Sequence, residues 1–297
     1  MANTKPKIER LKPVKFVIAA LVCVLVLSST NNAPAMEVEL TRLTAMIPDG
    51  GVAQGDNDIR SAWLSSPTER YAHGVLGDGI EAAALTAVLS DGTRLTLSLP
   101  EHAVFEDRYP RLADLDGDGR DELVVVKATH TQGASLLVAG LRNGKLTVLA
   151  EGAPIGRPYR WLNPVGVGDF DGDGETELAY VETPHIGGIL RILKWRGDKL
   201  VEAYSAPGFS NHAIGTRELE LSTVMDADGD GITDLIVPNT LRNVLRVVTF
   251  KGGTFKELFP IDLGAPLVRL KTDYKSFGAL VAILADGHAA GVRFKKR

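Results

Sequence analysis

The sequence predicts an all-β fold built from repeated units, and three observations support this prediction. First, an acidic motif occurs three times, as LADLDGDGRDELVVV, VGDFDGDGETELAYV and VMDADGDGITDLIVP. Second, the first aspartates of these motifs, Asp114, Asp169 and Asp226, are 55 and 57 residues apart, a spacing typical of repeat architectures. Third, the segments between the motifs are short and rich in β-branched residues, as in LVVVKA and KLTVLA, which favours strands over helices.

Hairpin turns divide each unit further, because a two-residue turn between alternating runs is typical of two antiparallel strands. The three turns are Asn143-Gly144, Gly197-Asp198 and Gly252-Gly253. A strand, the acidic loop, a second strand and the hairpin then account for four strands in each unit.

A further copy precedes the first acidic motif. Counting back 52 residues from the first hairpin turn leads to Asp91-Gly92. A gap-free alignment of this copy places Ala62, Leu64 and Ser66 at the positions of the three aspartates. We therefore expect the first unit to have lost its acidic loop.

The last unit is one strand short. Its three predicted strands are Leu267–Lys271, Ala279–Ala285 and His288–Phe294. The segment Glu37–Ile47 belongs to no other unit, so we expect it to supply the missing outer strand. The sequence thus predicts a β-propeller of five four-stranded blades closed by an amino-terminal strand, which removes an exposed sheet edge. An open solenoid of hairpins is the alternative, although solenoid repeats are usually shorter and need polar caps.

An export signal is predicted over residues 1–35. Five Lys and Arg residues precede the apolar run FVIAALVCVLVL, and Ala33 and Ala35 supply the small residues of a cleavage site. A retained membrane anchor is disfavoured, because twelve apolar residues rise about 18 Å as a helix, whereas a bilayer core is about 30 Å thick. A lipid anchor on Cys23 is disfavoured by the bulky Val22 before it. We predict cleavage after Ala35, one domain over residues 36–297, and a periplasmic or secreted protein.

The composition limits the partners of this domain. Hydrophobic residues make up 44% of the chain and charged residues 24%, as in ordinary folded proteins. The net charge is −4, and it becomes −8 when residues 1–35 are removed. Such an acidic chain, with no basic run, is not expected to bind nucleic acid or an anionic membrane. Because Cys23 is the only cysteine, the mature chain has no disulfide and depends on its core, on metals, or on both.

The acidic loops have the residue types and spacing of calcium sites. Carboxylates fall at positions 1, 3, 5 and 9 of each loop, glycines between them allow tight turns, and the carbonyl at position 7 can add a ligand. The candidate ligands are Asp114, Asp116, Asp118, Arg120 and Glu122 in the first loop, Asp169, Asp171, Asp173, Glu175 and Glu177 in the second, and Asp226, Asp228, Asp230, Ile232 and Asp234 in the third. We therefore predict three Ca²⁺ sites.

An EF-hand, a different metal or a simple turn would each account for these loops less well. An EF-hand needs a glutamate at position 12 and a helix beyond it, but position 12 is Val125, Tyr180 or Val237, each in a predicted strand. Zinc is disfavoured by the lack of Cys and His ligands, and Mg²⁺ by a cage this rich in protein oxygens. Simple turn formation does not explain four carboxylates that would repel one another without a cation.

The D-x-D-G-D-G-x-x-D/E-L loops followed by β-runs resemble FG-GAP/VCBS repeats, the calcium-binding propeller units of integrin α-chain heads and of many exported bacterial proteins. The resemblance covers most of residues 55–295, strongly in three units and weakly in two. It implies that each loop joins the first and second strands of a blade. In the last unit Arg269, Lys271 and Asp273 take the places of the three aspartates, so no metal is expected there.

A candidate ligand face lies at the end of the blades away from the acidic loops, where the turns between second and third strands and the connections between blades meet. Aromatic and Arg side chains are frequent in binding surfaces, and loops on a rigid scaffold often carry function. The candidate residues are Arg157, Tyr159, Arg160, Trp161, His185, Asn211, His212, Arg217 and Arg242. Packing between blades is the alternative role for Tyr159 and Trp161.

The sequence contains no catalytic motif of a known class and no metal-ligand spacing among its six histidines. We therefore expect a monomeric, calcium-stabilised binding module for a glycan or protein of the cell envelope or the extracellular space. The alternative is a hydrolase or lyase that acts on an exported polymer. An enzyme would need a pair of titratable groups with perturbed pKa values at one site, which distinguishes the two hypotheses.

Overall fold

The structure, a computed structural model, describes residues 45–273 and 279–294. Strands dominate these residues, which contain two short 3₁₀ turns at Gly74–Leu76 and Lys251–Gly253 but no α-helix. The all-β prediction is therefore confirmed. The predicted signal peptide and residues 37–44 of the predicted closure strand lie outside the described residues.

The first unit is a four-stranded antiparallel meander. Its strands are β1 (Val52–Gln54), β2 (Ile59–Thr68), β3 (Glu81–Leu89) and β4 (Arg94–Ser98). The gap-free alignment was wrong here, since Ala62, Leu64 and Ser66 all lie inside β2. The loop between β1 and β2 is only residues 55–58, whereas the connection between β2 and β3 extends over residues 69–80. The loop is shorter than the first acidic loop and the connection is longer than its counterpart, residues 130–132, so a shift counted from the hairpin turn misplaces every residue before the connection.

The second, third and fourth units have the same order of strands. The second contains β6 (Arg111–Ala113), β7 (Glu122–Thr129), β8 (Gly133–Arg142) and β9 (Lys145–Gly152), preceded by β5 (Ala103–Phe105), which pairs with both β3 and β7. The third contains β10 (Leu162–Gly168), β11 (Glu177–Glu182), β12 (Ile189–Arg196) and β13 (Lys199–Pro207), and the fourth contains β14 (Thr223–Met225), β15 (Asp234–Pro238), β16 (Val244–Thr249) and β17 (Lys256–Asp262). Each acidic loop joins the first and second strands of its unit, as the resemblance implied.

The last described unit has three strands, β18 (Leu267–Asp273), β19 (Ala279–Leu284) and β20 (Ala289–Arg293). Arg269 and Lys271 lie within β18, where they pair with Ile283 and Val281. The alignment that placed these two cations at aspartate positions was therefore shifted. The connection between β18 and β19, residues 274–278, lies outside the described residues.

The described end of the predicted closure strand pairs with the first unit rather than the last. Met46 forms a bridge with Ser65 of β2, and the Ile47 amide donates to the Leu64 carbonyl. Ile47 is 5% exposed and packs in the hydrophobic cluster shared by the first two units, which accounts for this placement. The described strands form sheets of thirteen, four and three strands, none of them closed, so the ring of five blades stays a prediction.

Hydrophobic clusters lie between successive units and join their sheets face to face. One joins Val181 and Leu190 of the third unit to Leu235 and Val248 of the fourth. Another joins the fourth unit to the strands β18 to β20. Each fully buried aliphatic side chain contributes roughly 1.5–3 kcal/mol, so these contacts hold the turns at both ends of the strands in place. Within the part of the chain that the structure describes, no helix is long and apolar enough to span a membrane.

Candidate metal loops and the histidine face

The first aspartate of each acidic loop fixes the loop backbone. In the first loop, Asp114 accepts hydrogen bonds from the amides of Gly117 at 2.8 Å and Gly119 at 3.0 Å. These glycines have φ values of 77° and 83°, in the left-handed region that favours glycine. Asp169 and Asp226 accept the equivalent pairs of bonds at 2.6–3.1 Å. All three loops thus share one conformation that the spacing of Asp and Gly determines.

The acid at position 9 closes each loop by accepting the amide of position 2. The three bonds are Leu115 to Glu122 at 2.9 Å, Phe170 to Glu177 at 2.8 Å and Ala227 to Asp234 at 3.0 Å. These acids are 5%, 0% and 1% exposed. Burial raises the pKa of Glu122 to about 7, and the charges of the other loop acids add to this rise; burial raises the pKa of Asp234 to about 6. A nearby cation would stabilise the ionised form of both groups.

The acids converge to different degrees in the three loops. Oxygen atoms within 4.8 Å of one another come from Asp114, Asp116 and Glu122 in the first loop, from Asp169, Asp171, Asp173 and Glu177 in the second, and from Asp226, Asp228 and Asp230 in the third. Asp118 instead pairs with the guanidinium of Arg120 at 2.5 Å. Asp234 does not join the third group, although it binds the loop backbone.

The residues at position 7 are held by the acids at position 5. The amides of Arg120, Glu175 and Ile232 donate to Asp118, Asp173 and Asp230, each at 2.9 Å. The donor set of every loop therefore consists of carboxylate oxygens on a backbone fixed by hydrogen bonds. Hard oxygen donors of this kind fit Ca²⁺.

The second loop differs because a lysine contacts its acids. Lys194 lies opposite Glu177 in the ladder of β11 and β12. Its Nζ atom is 2.9 Å from an Asp171 oxygen and 3.2 Å from a Glu177 oxygen, and it also contacts Asp173. Although burial lowers the pKa of Lys194, the hydrogen bonds that its ammonium group donates to Asp173, Asp171 and Glu177 hold this pKa well above its usual value.

A second group of side chains lies at the other end of the same strands, and we call it the histidine face. It consists of Tyr71, His73, His130, Tyr159, Trp161, His185 and His212. Tyr71 and His73 belong to the long connection between β2 and β3, and His130 and His185 belong to the corresponding turns of the next two units. Sequence reasoning predicted that such turns would share one end of the units.

His73 is held by two buried carboxylates. Its Nδ1 atom is 2.5 Å from an oxygen of Glu106, which is 1% exposed, and its amide donates to Glu81 at 3.0 Å. Burial raises the pKa of Glu106 well above its usual range, and the charges of Glu81 and Asp107 raise it further. Burial also lowers the pKa of His73. Because Glu106 engages Nδ1, the ring nitrogen that remains for a ligand or a proton is Nε2.

His185 and His212 form a second pair. Nε2 of His185 is 2.8 Å from Nδ1 of His212, and Nε2 of His212 is 3.0 Å from the Thr216 carbonyl. That carbonyl requires a proton on Nε2 of His212, so Nδ1 accepts the proton of His185. Trp161 stacks on His185 with an angle of 7° between the rings. Burial lowers the pKa of both histidines to about 4, and the charge of Arg242 contributes.

Several predicted ligand residues are buried and make packing contacts. Trp161 is 2% exposed and donates from its indole nitrogen to the Glu106 carbonyl at 2.9 Å. His212 and Asn211 are fully buried, and the Asn211 amide donates to the Asn163 carbonyl at 3.2 Å. Trp161 and His212 therefore form the buried part of the histidine face, and Asn211 is next to His212 in the chain.

Other predicted ligand residues reach the surface. Tyr159 is 47% exposed, Arg157 is exposed, and Arg160 and Arg242 are half-buried. Arg242 donates to the Ser210 hydroxyl at 3.2 Å. Arg217 forms ion pairs with Asp49 at 2.7 Å and Asp78 at 2.9 Å, so it ties the third-to-fourth connection to the first unit.

Sequence reasoning missed Tyr71, His73, Glu81 and Glu106 as components of this face. The available signal was the long connection between β2 and β3, which the gap-free alignment concealed. Among the seven described non-glycine residues with positive φ, Tyr159 at 53° belongs to the face. Ala72 at 48° lies between Tyr71 and His73, and Thr183 at 45° lies in the turn that contains His185. Such conformations concentrate at functional sites.

A comparison with models of protein families finds a match for part of the chain. Residues 114–180 match the model of the family described as FG-GAP-like repeat. The chain carries an FG-GAP-like repeat. The matched FG-GAP-like stretch begins at Asp114 of the first loop, includes the whole second loop and ends in β11. A search of curated proteins finds no significant match.

Solved structures with low sequence identity are also similar to this FG-GAP-like repeat chain. Sqt1 of Saccharomyces cerevisiae is 12% identical, with a TM-score of 0.44 over 80% of this chain and 63% of that chain. The exotype rhamnogalacturonan lyase YesX is 17% identical, with a TM-score of 0.45 over 87% and 60%. A protein from Lactobacillus plantarum is 15% identical, with a TM-score of 0.45 over 82% and 70%. The chain thus spans less than two thirds of the length of Sqt1 and YesX.

Proposed function

We propose that this protein is an exported, monomeric, calcium-stabilised β-propeller of five blades that binds a glycan or protein ligand through the histidine face. The predicted signal peptide supports a location in the periplasm or outside the cell. The net negative charge of the chain argues against nucleic acid as the ligand.

The observation that carries this proposal is the exposed ring of Tyr159 above a rigid aromatic base. The ring centroid of Tyr159 lies 5.3 Å from that of Tyr71 and 5.5 Å from that of His73. Tyr71 is 3% exposed, whereas Tyr159 is 47% exposed. An exposed ring held in one position offers apolar area at a low entropy cost, which suits stacking on a sugar or on a ligand side chain.

Calcium at the acidic loops would stabilise this scaffold without taking part in ligand recognition. Second strands such as β11, six residues long, separate each loop from the histidine face by about 20 Å at 3.3 Å per residue. Asp114, Asp116 and Glu122 would hold the ion of the first loop, and Asp226, Asp228 and Asp230 that of the third. The second loop would use Asp169, Asp171, Asp173 and Glu177.

Screening of the purified protein on immobilised polysaccharides and envelope proteins tests the binding function. Tyr159→Ala should lose about fivefold or more in affinity for any ligand found, since a stacking contact contributes about 1 kcal/mol or more. Phe259→Ala is the matched control, because Phe259 is a 37% exposed aromatic residue of the fourth unit. Equal losses in both variants, with unchanged melting temperatures, would refute the placement of the ligand at this face.

A hydrolase or lyase acting on an exported polymer is the second candidate, and the His73–Glu106 pair favours it. This pair meets the requirement for two titratable groups with perturbed pKa values at one site. Nε2 of His73 would accept a proton while Glu106 orients the ring through Nδ1. His73→Gln should then abolish depolymerisation, and Glu106→Gln should lower it and shift its pH profile. His288→Gln should leave it unchanged, because His288 is an exposed residue of the turn between β19 and β20. If neither substitution at the pair changes turnover, this role of His73 is refuted.

A further inference from the structure

The three acidic loops differ in the residue that faces position 9 from the third strand of the unit. Lys194 pairs with Glu177 in the second loop. In the second unit, the register of β7 and β8 places Gly140 opposite Glu122. A Cβ atom on Gly140 would lie 3.6 Å from the Glu122 side chain. In the fourth unit Thr249 faces Asp234 and hydrogen-bonds to it. Only the second loop of the three therefore has a cationic side chain at this position.

Lys194 is placed differently from the basic residues near the other loops. Its ammonium group contacts Asp171, Asp173 and Glu177, lies 3.8 Å from Glu175, and belongs to a side chain that is 12% exposed. Lys251 contacts only the position 5 acid of the third loop, at 2.8 Å, and is 54% exposed. Arg120 binds only Asp118 in the first loop and is 57% exposed. These two cations lie at the rim of their loops, whereas Lys194 lies among the converging acids.

We propose that the Lys194 ammonium group occupies the cation position of the second loop and competes there with calcium. Calcium binds this loop only when Lys194 moves away, so the second loop has the weakest affinity of the three. This inference rests on the proposed function, namely that the loops of this chain bind calcium. It adds that the second loop keeps its conformation without calcium because the Lys194 ammonium group supplies the positive charge.

Electrostatics supports this competition. A single positive charge within 3–4 Å of several carboxylates offsets their mutual repulsion, which is the stabilisation that an ion would otherwise supply. To bind Ca²⁺, the second loop must break these contacts and expose the ammonium group to water. The first and third loops break at most one rim contact with a largely exposed side chain, and such contacts contribute little.

The second loop also has contacts that hold it without a metal. The Tyr204 hydroxyl donates to Asp171 at 2.8 Å, and the Gly252 amide donates to the Asp171 carbonyl at 2.9 Å. Both donors come from outside the loop and act on the same residue as Lys194. The loop can therefore remain ordered while its cation position is held by the lysine.

Calcium titration of the full chain by calorimetry, together with elemental analysis, tests the proposal on wild type, Lys194→Met and Lys251→Met. Methionine keeps the length and apolar stem of lysine but removes the charge. In wild type we expect two tighter sites and one weaker site. Lys194→Met should strengthen the weakest site by about tenfold or more, whereas Lys251→Met should change each affinity by less than about threefold. Adding Asp169→Asn to Lys194→Met should remove the strengthened site, which assigns it to the second loop.

Melting curves in chelator give a second readout that does not depend on calcium. Lys194→Met should lower the melting temperature of the metal-free protein more than Lys251→Met does, because three close carboxylates lose their counter-ion. Two tight sites with an unchanged third site in Lys194→Met would overturn the role of Lys194 and leave calcium at the other loops intact. Binding that appears only in Lys194→Met would support the lysine and refute calcium at the first and third loops. No calcium binding in any variant would overturn both proposals.

Discussion

The two ends of the second strands follow different rules. At one end, three acidic loops repeat the same hydrogen bonds to within a few tenths of an ångström, from Asp114, Asp169 and Asp226. At the other end, the histidine face is assembled from unlike segments. It takes two residues from the long connection between β2 and β3, one histidine from each of two later turns, and three residues from the connections between units. A feature repeated in three successive units serves the scaffold that these units share. A feature assembled once from different segments serves a task of the whole molecule.

Removal of calcium should lower the stability of the protein more than any other change, and it should act at the end of the strands that carries the acidic loops. Each site contributes RT ln(1 + [Ca²⁺]/Kd) to the free energy of unfolding, about 2.7 kcal/mol at a hundredfold excess over Kd. Chelation should therefore lower the melting temperature of wild type strongly, as measured by calorimetry with and without chelator. His73→Gln should show the same calcium dependence, since His73 lies at the other end of the strands. A metal-free protein whose curves coincide would contradict calcium at all three loops.

Trp161→Ala should have the next largest effect. Trp161 is 2% exposed, stacks on His185 and donates to the Glu106 carbonyl. Truncation of such a buried aromatic residue costs about 3–5 kcal/mol, which urea denaturation measures. The number of bound calcium ions in the folded variant should not change. Loss of ions would show that the two ends are coupled and would break the comparison.

Single aspartate substitutions should remove one ion each. Asp116→Ala and Asp228→Ala should each lower the calcium count by one and remove about 2.7 kcal/mol of the stabilisation at a hundredfold excess over Kd. Asp171→Ala should have a smaller effect, because Lys194 competes with the ion at the second loop. Asp273→Ala is the control in the last unit, where we expect no ion. Elemental analysis and melting curves in calcium measure both quantities, and an ion lost from Asp273→Ala would contradict the assignment of the loops.

Acidification should change the stability of the protein least, and this change should arise at the histidine face. The pKa of His212 is about 4 in the folded chain, below the usual value of 6.5, so the unfolded chain binds more protons between these pH values. Neutral His212 therefore contributes its full stabilisation of the fold above pH 6.5, and this contribution is lost as the pH falls towards 4. At pH 5 the free energy of unfolding should be lower by about 2 kcal/mol. Urea denaturation at pH 7 and pH 5 measures this slope. His212→Gln should reduce it, whereas a change of equal size in His130→Gln would contradict the assignment.

The sequence alone predicted the all-β class and the acidic loops because both depend on local spacing. Alternating carboxylates and glycines at positions 1 to 9 determine the loop backbone through bonds such as those from Gly117 and Gly119 to Asp114. The placement of Ala62, Leu64 and Ser66 failed because the loop before β2 is shorter, and the connection after β2 longer, than their counterparts in the second unit. A gap-free alignment carried back from the hairpin turn cannot follow such differences in length.

The histidine face could not be predicted from the sequence in the same way. His73 and Glu106 are 33 residues apart, and their contact depends on how β5 pairs with β3 and β7. Burial of His212 also depends on packing, since its connection has no strand periodicity. The pairing of Met46 with β2 likewise follows from tertiary packing of Ile47, which local patterns do not specify.

The ion pairs of Arg217 bear on the order in which the chain folds. Arg217 contacts Asp78, which precedes it by 139 residues. Contacts of such sequence separation form late, because the entropy of the intervening chain must be lost before the contact contributes. The first unit therefore lacks the ion pair with Arg217 until the third unit has been synthesised and the connection that follows it has folded. During synthesis, we therefore expect the long connection between β2 and β3 to stay open to proteases and chaperones until Arg217 is in place.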